Sequence, residues 1–248
     1  NKEEIQSGIQ NFNTDKILYI DLHKNKGIAA ALNVIAESTE SCGVKWVLTL
    51  DQDTVCKDDI IDKYRPYLSM KNVGQFTCLY QDRNFIEDEY KNEGSEFGNL
   101  KEVPWCITSA ALLNVEAWKK AGKFDESLFI DQVDYDMCLT MREKGYYIYQ
   151  VGFVGFVHEI GQGHIIKVGS WKIKTWNHSP FRRYYGTRNA IIVAKKHNEI
   201  NMMRAILGAV KHIVIIFVFE NDKWNKLSAG VKGLRDGFCI AWNRERGM

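Results

Sequence analysis

The chain has 248 residues, 45% of them hydrophobic and 26% charged, with a formal net charge of +2. That composition excludes a disordered chain, and so small a charge gives no reason to expect nucleic acid as a partner. The length suits one large domain, or a core domain with an appendage.

Six cysteines, at 42, 56, 78, 106, 138 and 239, form no Cys-x-x-Cys pair and no zinc-finger spacing. Most sit in apolar surroundings, which predicts buried reduced thiols and a cytoplasmic location. The polar first sixteen residues carry no pattern of a secretory leader.

In chain order, residues 17–22 (ILYIDL) read as a strand, and 25–38 (NKGIAAALNVIAES) as a helix beginning after Asn25 and Gly27. Residues 46–50 (WVLTL) are a second strand that runs into Asp51 and Asp53. Residues 57–69 are helical up to Pro66. Residues 73–80 (VGQFTCLY) are a third strand, and the polar stretch 81–102 is a loop or insertion. Residues 103–114 (VPWCITSAALLN) are strand-like, and 115–122 form a helix closed by Gly122. A further helix over 134–145 is closed by Gly145, and 146–159 is a strand region broken by glycine. This alternation predicts an α/β layer with a mainly parallel sheet, whose ligands sit at the carboxyl ends of the strands. Asp51 and Asp53 fall at such an end.

After residue 178 the pattern changes. Residues 179–198 form a basic, aromatic helix, and 200–220 an apolar helix interrupted by Lys211 and His212. Its apolar run of about 15 residues is short of the ~20 that span a bilayer. Residues 224–242 are amphipathic and basic. The division expected is a catalytic domain over 1–178 and a helical region over 179–248. That region either lies on a membrane surface or packs against the core.

The acids carry the chemistry. Asp in a turn often bonds its own backbone. Two Asp at i and i+2 behind a strand also offer hard oxygen ligands for Mg²⁺ or Mn²⁺, with open positions for a diphosphate. Asp131, Asp134 and Asp136 crowd a helix start. Capping and dipole compensation account for one acid there more easily than three, and a carboxylate beside a sugar hydroxyl can act as a general base.

These stretches resemble a family 2 glycosyltransferase of the rhamnosyltransferase type. The match runs through NKGIAAALN (25–33), WVLTLDQDT (46–54), ITSAALLN (107–114), FDESLFIDQVDYDMCLTMREKGY (124–146), VHEIGQG (157–163) and SPFRRYYGTRN (179–189), in the family's order over about three quarters of the chain. The resemblance implies a GT-A fold: a Rossmann-like, mainly parallel mixed sheet flanked by helices, here with a C-terminal helical appendage. It implies inverting, metal-dependent transfer from a nucleotide-sugar, with dTDP-rhamnose favoured over a UDP-sugar. The acceptor implied is a saccharide or a lipid-diphosphate-linked sugar of a cell-surface polysaccharide, met at the cytoplasmic face of the inner membrane.

Carried over residue by residue, the metal site is Asp51 and Asp53, completed by His158 and less readily by His164. The base is Asp134, with Asp131 as the fallback. Asn25, Gly27, Asn33, Gln52, Thr108 and Ser109 belong to the donor side. Trp105, Arg182, Arg183, Tyr184, Tyr185 and Arg188 belong to an acceptor-facing or phosphate-facing patch, where arginine suits bidentate phosphate contacts.

Three departures stand out. The family's first two strands, with their nucleotide contacts, have no counterpart here. Thr140 replaces a customary Arg, for which Arg142 is the available substitute, and Ala110 replaces a common Gly. They keep a second class open, a degenerate transferase acting as a non-enzymatic partner, and a metal-dependent nucleotide hydrolase is a third.

Overall fold

The computed structural model describes residues 16–82, 99–158, 164–168 and 171–240, with the backbone alone for 82, 158, 164–168 and 171–174. The sheet is mixed, as expected. β1 (Trp46–Thr49), β3 (Val73–Asp82) and β6 (Tyr147–His158) run in one direction. β5 (Ala111–Asn114) is inserted between β1 and β3, antiparallel to both, and β3 pairs with β6 in parallel. The short β2 (Val55–Cys56) and β4 (Leu100–Glu102) pair antiparallel with different stretches of β6. β7 (His164–Val168) and β8 (Trp171–Thr175) form a separate hairpin. Parallel pairing, expected to predominate, is confined to β3 and β6 among the described strands. The reversed β5 separates the other co-directional pair.

The strands alternate as period two requires. On β5, Ala111 and Leu113 face one core and Leu112 the other. The first core receives α1 (Ile28–Ser41), α3 (Val115–Lys120) and α4 (Val133–Glu143), around Trp118, Leu128 and Met141. The second gathers Phe76, Phe153 and Phe156 against Tyr64 of α2 (Ile60–Tyr64). Asn114 explains why β5 turns directly into α3. Its side chain caps Glu116 and Ala117 N–H and donates to the Val73 carbonyl at 2.9 Å.

Three helices close the chain: α5 (Pro180–Lys196), α6 (Met202–Phe219) and α7 (Lys223–Cys239). Ser179 caps α5 and Asn201 caps α6, each accepting from a backbone N–H three residues on. Lys211 and His212 do not interrupt α6, which runs unbroken for 18 residues and is long and apolar enough to cross a membrane by length and composition.

Residues 17–22 are not a strand. They are coil, with Leu18 71% exposed, because no described strand lies beside them to accept a ladder. The strand expected over 103–114 is restricted to its last four residues, since the preceding ones turn through Ala110 at φ +54°. Of the cysteines, 78, 106 and 138 are buried, Cys56 is half-buried, and Cys42 and Cys239 are exposed; all are free.

Candidate functional site

The carboxyl end of β1 is held from below by hydroxyls. Thr49 Oγ1 donates to the Thr108 carbonyl, and the Ala110 N–H donates to the Thr49 carbonyl at 2.8 Å. The fully buried Ser109 accepts from the Asp51 N–H at 3.4 Å and shares a hydrogen bond with the Thr54 hydroxyl. The Thr54 N–H closes the turn on the Asp51 carbonyl at 3.1 Å. Ser109 and the Thr108 backbone, expected on the donor side, therefore build the platform that aims Asp51, while Gln52 and Asp53 project into solvent.

Opposite this turn lies the loop that leads into α4. Phe129, Asp131 and Gln132 all take left-handed backbone angles, with φ of +62°, +63° and +66°. Such angles are costly for residues with a Cβ and persist where the surroundings over-determine them. The surroundings here are specific. The amide nitrogen of the fully buried Asn189 lies 2.7, 2.8 and 2.9 Å from the carbonyls of Leu128, Ile130 and Asp131. Arg188 donates from Nη2 to the Ser127 carbonyl at 2.5 Å and from Nε to Asn189 Oδ1 at 2.9 Å. Its guanidinium lies 4.6 Å from the Tyr185 ring centre, and Phe129 stacks on the same ring at 5.1 Å. From the opposite side, the Ile28 N–H of α1 donates to the Phe129 carbonyl at 2.8 Å. Only glycine fits at 27, where φ is +88° and a Cβ would stand 2.5 Å from the Phe129 oxygen.

This brace presents two carboxylates. Asp131 accepts from Arg182 Nε at 3.0 Å; burial raises its pKa and the guanidinium opposes the rise. Among the described residues, no cation is in contact with Asp134. Burial, with the charges of Asp131 and Asp51 adding to it, pushes its pKa up to about 6, against backbone hydrogen bonds that lower it. The charges of Asp51 and Asp131 both bear on Asp134. The exposed Trp105 packs edge-on at 5.8 Å against Tyr135, the residue that follows Asp134 on α4.

The third acid of the crowd, Asp136, is structural. It is buried, accepts from His197 Nε2 at 2.8 Å and pairs with Lys196 at 2.7 Å. His197 Nδ1 reaches Glu143 at 2.8 Å. Burial disfavours the charged imidazole, but its bonds to Asp136 and Glu143 outweigh that and raise its pKa.

Several expected contacts are spent elsewhere. Asn33, assigned to the donor, is buried and ties α1 to the core: its oxygen accepts from Trp118 Nε1 and Phe124 N–H, and its nitrogen donates to the Phe124 carbonyl and Glu126. Asn25 caps the Gly27 N–H at 3.0 Å. Of the arginine-tyrosine patch, only Arg182 reaches a site carboxylate. Arg183 pairs with the buried Glu220, the Tyr184 hydroxyl donates to Asp236, and Tyr185 and Arg188 hold the loop. The loop and the C-terminal helices engage those four. Thr140 bonds the Asp136 carbonyl of its own helix and Arg142 pairs with Glu199, so neither supplies the family's arginine. Sequence reasoning missed Asn189, Phe129 and His197 as supports. Asn189 stood at the end of a matched motif, where a polar residue on an apolar helix face was the available signal.

Among the described residues, no three of His, Cys, Asp and Glu gather into a metal cage. The side chain of His158, called as a ligand, lies outside the described residues, as does that of His164. Asp51 and Asp53 on one turn offer two hard oxygen donors. That fits Mn²⁺ or Mg²⁺ with the remaining positions left to a diphosphate.

A co-directional β1, β3, β6 frame with one reversed strand, carboxylates at the strand ends and flanking helices is the GT-A architecture of glycosyltransferases. PcManGT from Pyrobaculum calidifontis, a mannosyltransferase solved with GDP-Man and Mn²⁺, shares it at a TM-score of 0.54 and 14% identity, over 98% of this chain and 63% of that one. TarS 1-349 of S. aureus, in complex with UDP-GlcNAc, shares it at 0.53 and 12% identity, over 95% of this chain and 68% of that one; of another TarS chain only 36% is spanned. No protein-family model matches. In sequence the chain is 27% identical over 236 residues to the dTDP-rhamnosyl transferase RfbF of Shigella flexneri, covering 90% of this chain and 79% of the relative. The resemblance to family 2 glycosyltransferases of the rhamnosyltransferase type therefore holds across the chain.

Proposed function

We propose that this chain transfers rhamnose, with inversion, from dTDP-rhamnose to a saccharide acceptor, one carried on a lipid diphosphate, in building a cell-surface polysaccharide at the cytoplasmic face of the membrane. Asp134 is the general base. It takes the proton of the acceptor hydroxyl as the oxygen attacks the anomeric carbon from the face opposite the diphosphate, and the bond to the diphosphate breaks. Asp51 and Asp53 would hold a divalent cation, which when bound supplies positive charge to the departing diphosphate. Asp131, tied to Arg182, keeps the loop charged and oriented. Trp105 offers an apolar face to a sugar ring.

The observation that carries the assignment is the difference between the two loop carboxylates. Asp131 is engaged by a guanidinium, whereas Asp134 has a pKa raised to about 6 by burial and by neighbouring carboxylates. At neutral pH such a group is roughly 90% ionised yet a stronger base than an ordinary Asp. The donor choice is supported by the S. flexneri relative's name, and TarS with UDP-GlcNAc keeps a UDP-sugar as the rival.

The test is nucleoside diphosphate release with Mn²⁺ and a panel of nucleotide-sugars, run beside Asp134→Asn. Release from dTDP-rhamnose alone, lost in the variant, supports the reading. Release from a UDP-sugar alone replaces the donor. No release from any donor with lipid-linked acceptors supplied points to a non-enzymatic partner.

A further inference from the structure

The apolar face of α6 points outward. Met203, Leu207, Val210, Val214, Phe217 and Val218 recur at i, i+4, i+7, i+11, i+14 and i+15, which is one stripe of a helix, and each is exposed, from 45% at Val210 to 61% at Met203. The residues α6 buries, Ala209 and Ile216, are on the other side. A water-facing helix has the reverse arrangement. The stripe continues onto α7: Phe217 meets Trp224 edge-on at 6.1 Å, and Trp224, Val231 and Phe238 follow at intervals of seven, Trp224 being 73% exposed. An exposed apolar surface running across two helices marks an interaction site.

Charge identifies its occupant. Between residues 202 and 239 the exposed cations are Arg204, Lys211, Lys223, Lys232 and Arg235. α6 contains no acid, Glu220 is buried against Arg183 and Lys226, and the remaining acids of the span are Asp222 and Asp236, the latter paired with Arg235, which leaves Arg204, Lys211, Lys223 and Lys232 in excess over them. Arg204 and Lys211 are separated by one seven-residue interval and flank the stripe on one edge, while Trp224 stands at its end. Apolar residues bordered by cations, with an indole at the margin, match the boundary between headgroups and acyl chains of an anionic bilayer.

The tethering of α6 sets its orientation. At one end, the Ile200 N–H bonds the carbonyl of the buried His197 at 3.2 Å. At the other, Glu220 binds Thr175, Arg183 and Lys226. Both ends are thus fixed to the same globular body. At about 1.5 Å per residue, α6 is also only about 27 Å long. Crossing a bilayer would require one end to let go of the protein. We propose that α6 and α7 form a docking surface for anionic membranes, lying in the plane of the leaflet without spanning it. This stands apart from the transfer reaction and is tested without it.

The full chain is floated with phosphatidylglycerol-containing vesicles, with pure phosphatidylcholine vesicles, and with none. The result expected is flotation with the anionic vesicles, weakened by salt and released by alkaline carbonate. Leu207→Glu with Val214→Glu should lower binding at least tenfold, and Lys211→Ala or Lys232→Ala about fivefold each. These side chains face outward, so the variants should keep the wild-type melting temperature and circular dichroism. Retention through carbonate would mean a span and overturn the in-plane orientation. Absence of flotation with either vesicle overturns the proposal. So does a wild-type dimer, made monomeric by the Glu variants and indifferent to lipid, since a second copy would then cover the face.

Discussion

Asn189→Ala probes the brace under the carboxylates. The substitution removes the one amide nitrogen that lies within 2.9 Å of three loop carbonyls. The Leu128 carbonyl keeps the Ile130 N–H at 2.7 Å, so the larger loss falls on the Ile130 and Asp131 carbonyls. A buried acceptor left unpaired costs ~1–3 kcal/mol. Two of them give about 3 kcal/mol, less whatever the loop recovers by relaxing its three left-handed residues, each of which stores ~1 kcal/mol or more. For a chain of this size the melting temperature should fall by roughly 5–10 °C. Relaxation also moves Asp131 and the start of α4, and a misplacement near 1 Å costs on the order of 100-fold in turnover. Turnover should therefore fall far more than donor KM rises, because Asp51 and Asp53, the proposed diphosphate end of the site, follow β1 and not this loop. Asn189→Ser, a smaller donor, should recover part of both losses. Calorimetry and nucleoside diphosphate release would read the two effects. A turnover within twofold of wild type, with a melting temperature unchanged within 2 °C, would show that the loop holds itself and that the reasoning is wrong.

Three further outcomes are expected. Activity should fall as pH drops through about 6, with a single proton's slope, because Asp134 must be ionised to accept a proton; a pH–rate profile flat down to pH 5 contradicts its role. His197→Gln should cost about 3 kcal/mol in urea unfolding, since it leaves the buried Asp136 short of a partner. The folded pKa of His197 is raised, so its contribution is fully present below the unfolded value near 6.5 and is lost as pH climbs through the folded value; a wild-type stability advantage over the Gln variant that grows with pH would refute the pairing. Gly27→Ala should destabilise by about 2–3 kcal/mol, because the methyl would stand 2.5 Å from a backbone oxygen at a φ that disfavours it; a neutral melting curve would mean that α1 does not press on the loop.

The parts of this fold that depend on short-range pattern were readable from the residues. The helices opened by Gly27, capped at Ser179 and stopped by Gly145 follow local rules, and the strand that ends at Thr49, just before Asp51, announced itself by an apolar run meeting acids. What was not readable depends on partners distant in sequence. Residues 17–22 have the composition of a strand, but a strand exists only beside another. The reversed β5 looks locally like any other apolar run. Asn33 and Asn189 have the same chemistry as ligand-binding amides, and only the positions of Trp118 and of the 128–131 carbonyls show that both are committed to the protein itself. Likewise, Arg182 and Arg183 are adjacent in sequence but a helix sends their guanidinium groups to different partners, one to Asp131 and the other to Glu220.

The glycines of α7 give the molecule a fixed working height. Gly233 and Gly237 bring α7 so close to α5 that an added methyl would stand 2.4 Å from the Tyr184 carbonyl and 2.8 Å from that of Arg188. The same turn of α5 grips the carboxylate loop through the side chains of Tyr185, Arg188 and Asn189. Two helices, α7 and α5, therefore lie between the outward face of α7 and the loop, a spacing on the order of 20 Å. Under the proposed docking, the loop would stand about that far from the lipid surface. Under the proposed docking and transfer, helix packing fixes that height, so acceptors whose sugar end stands near it would be favoured over long glycans, whose ends would overshoot and have to fold back.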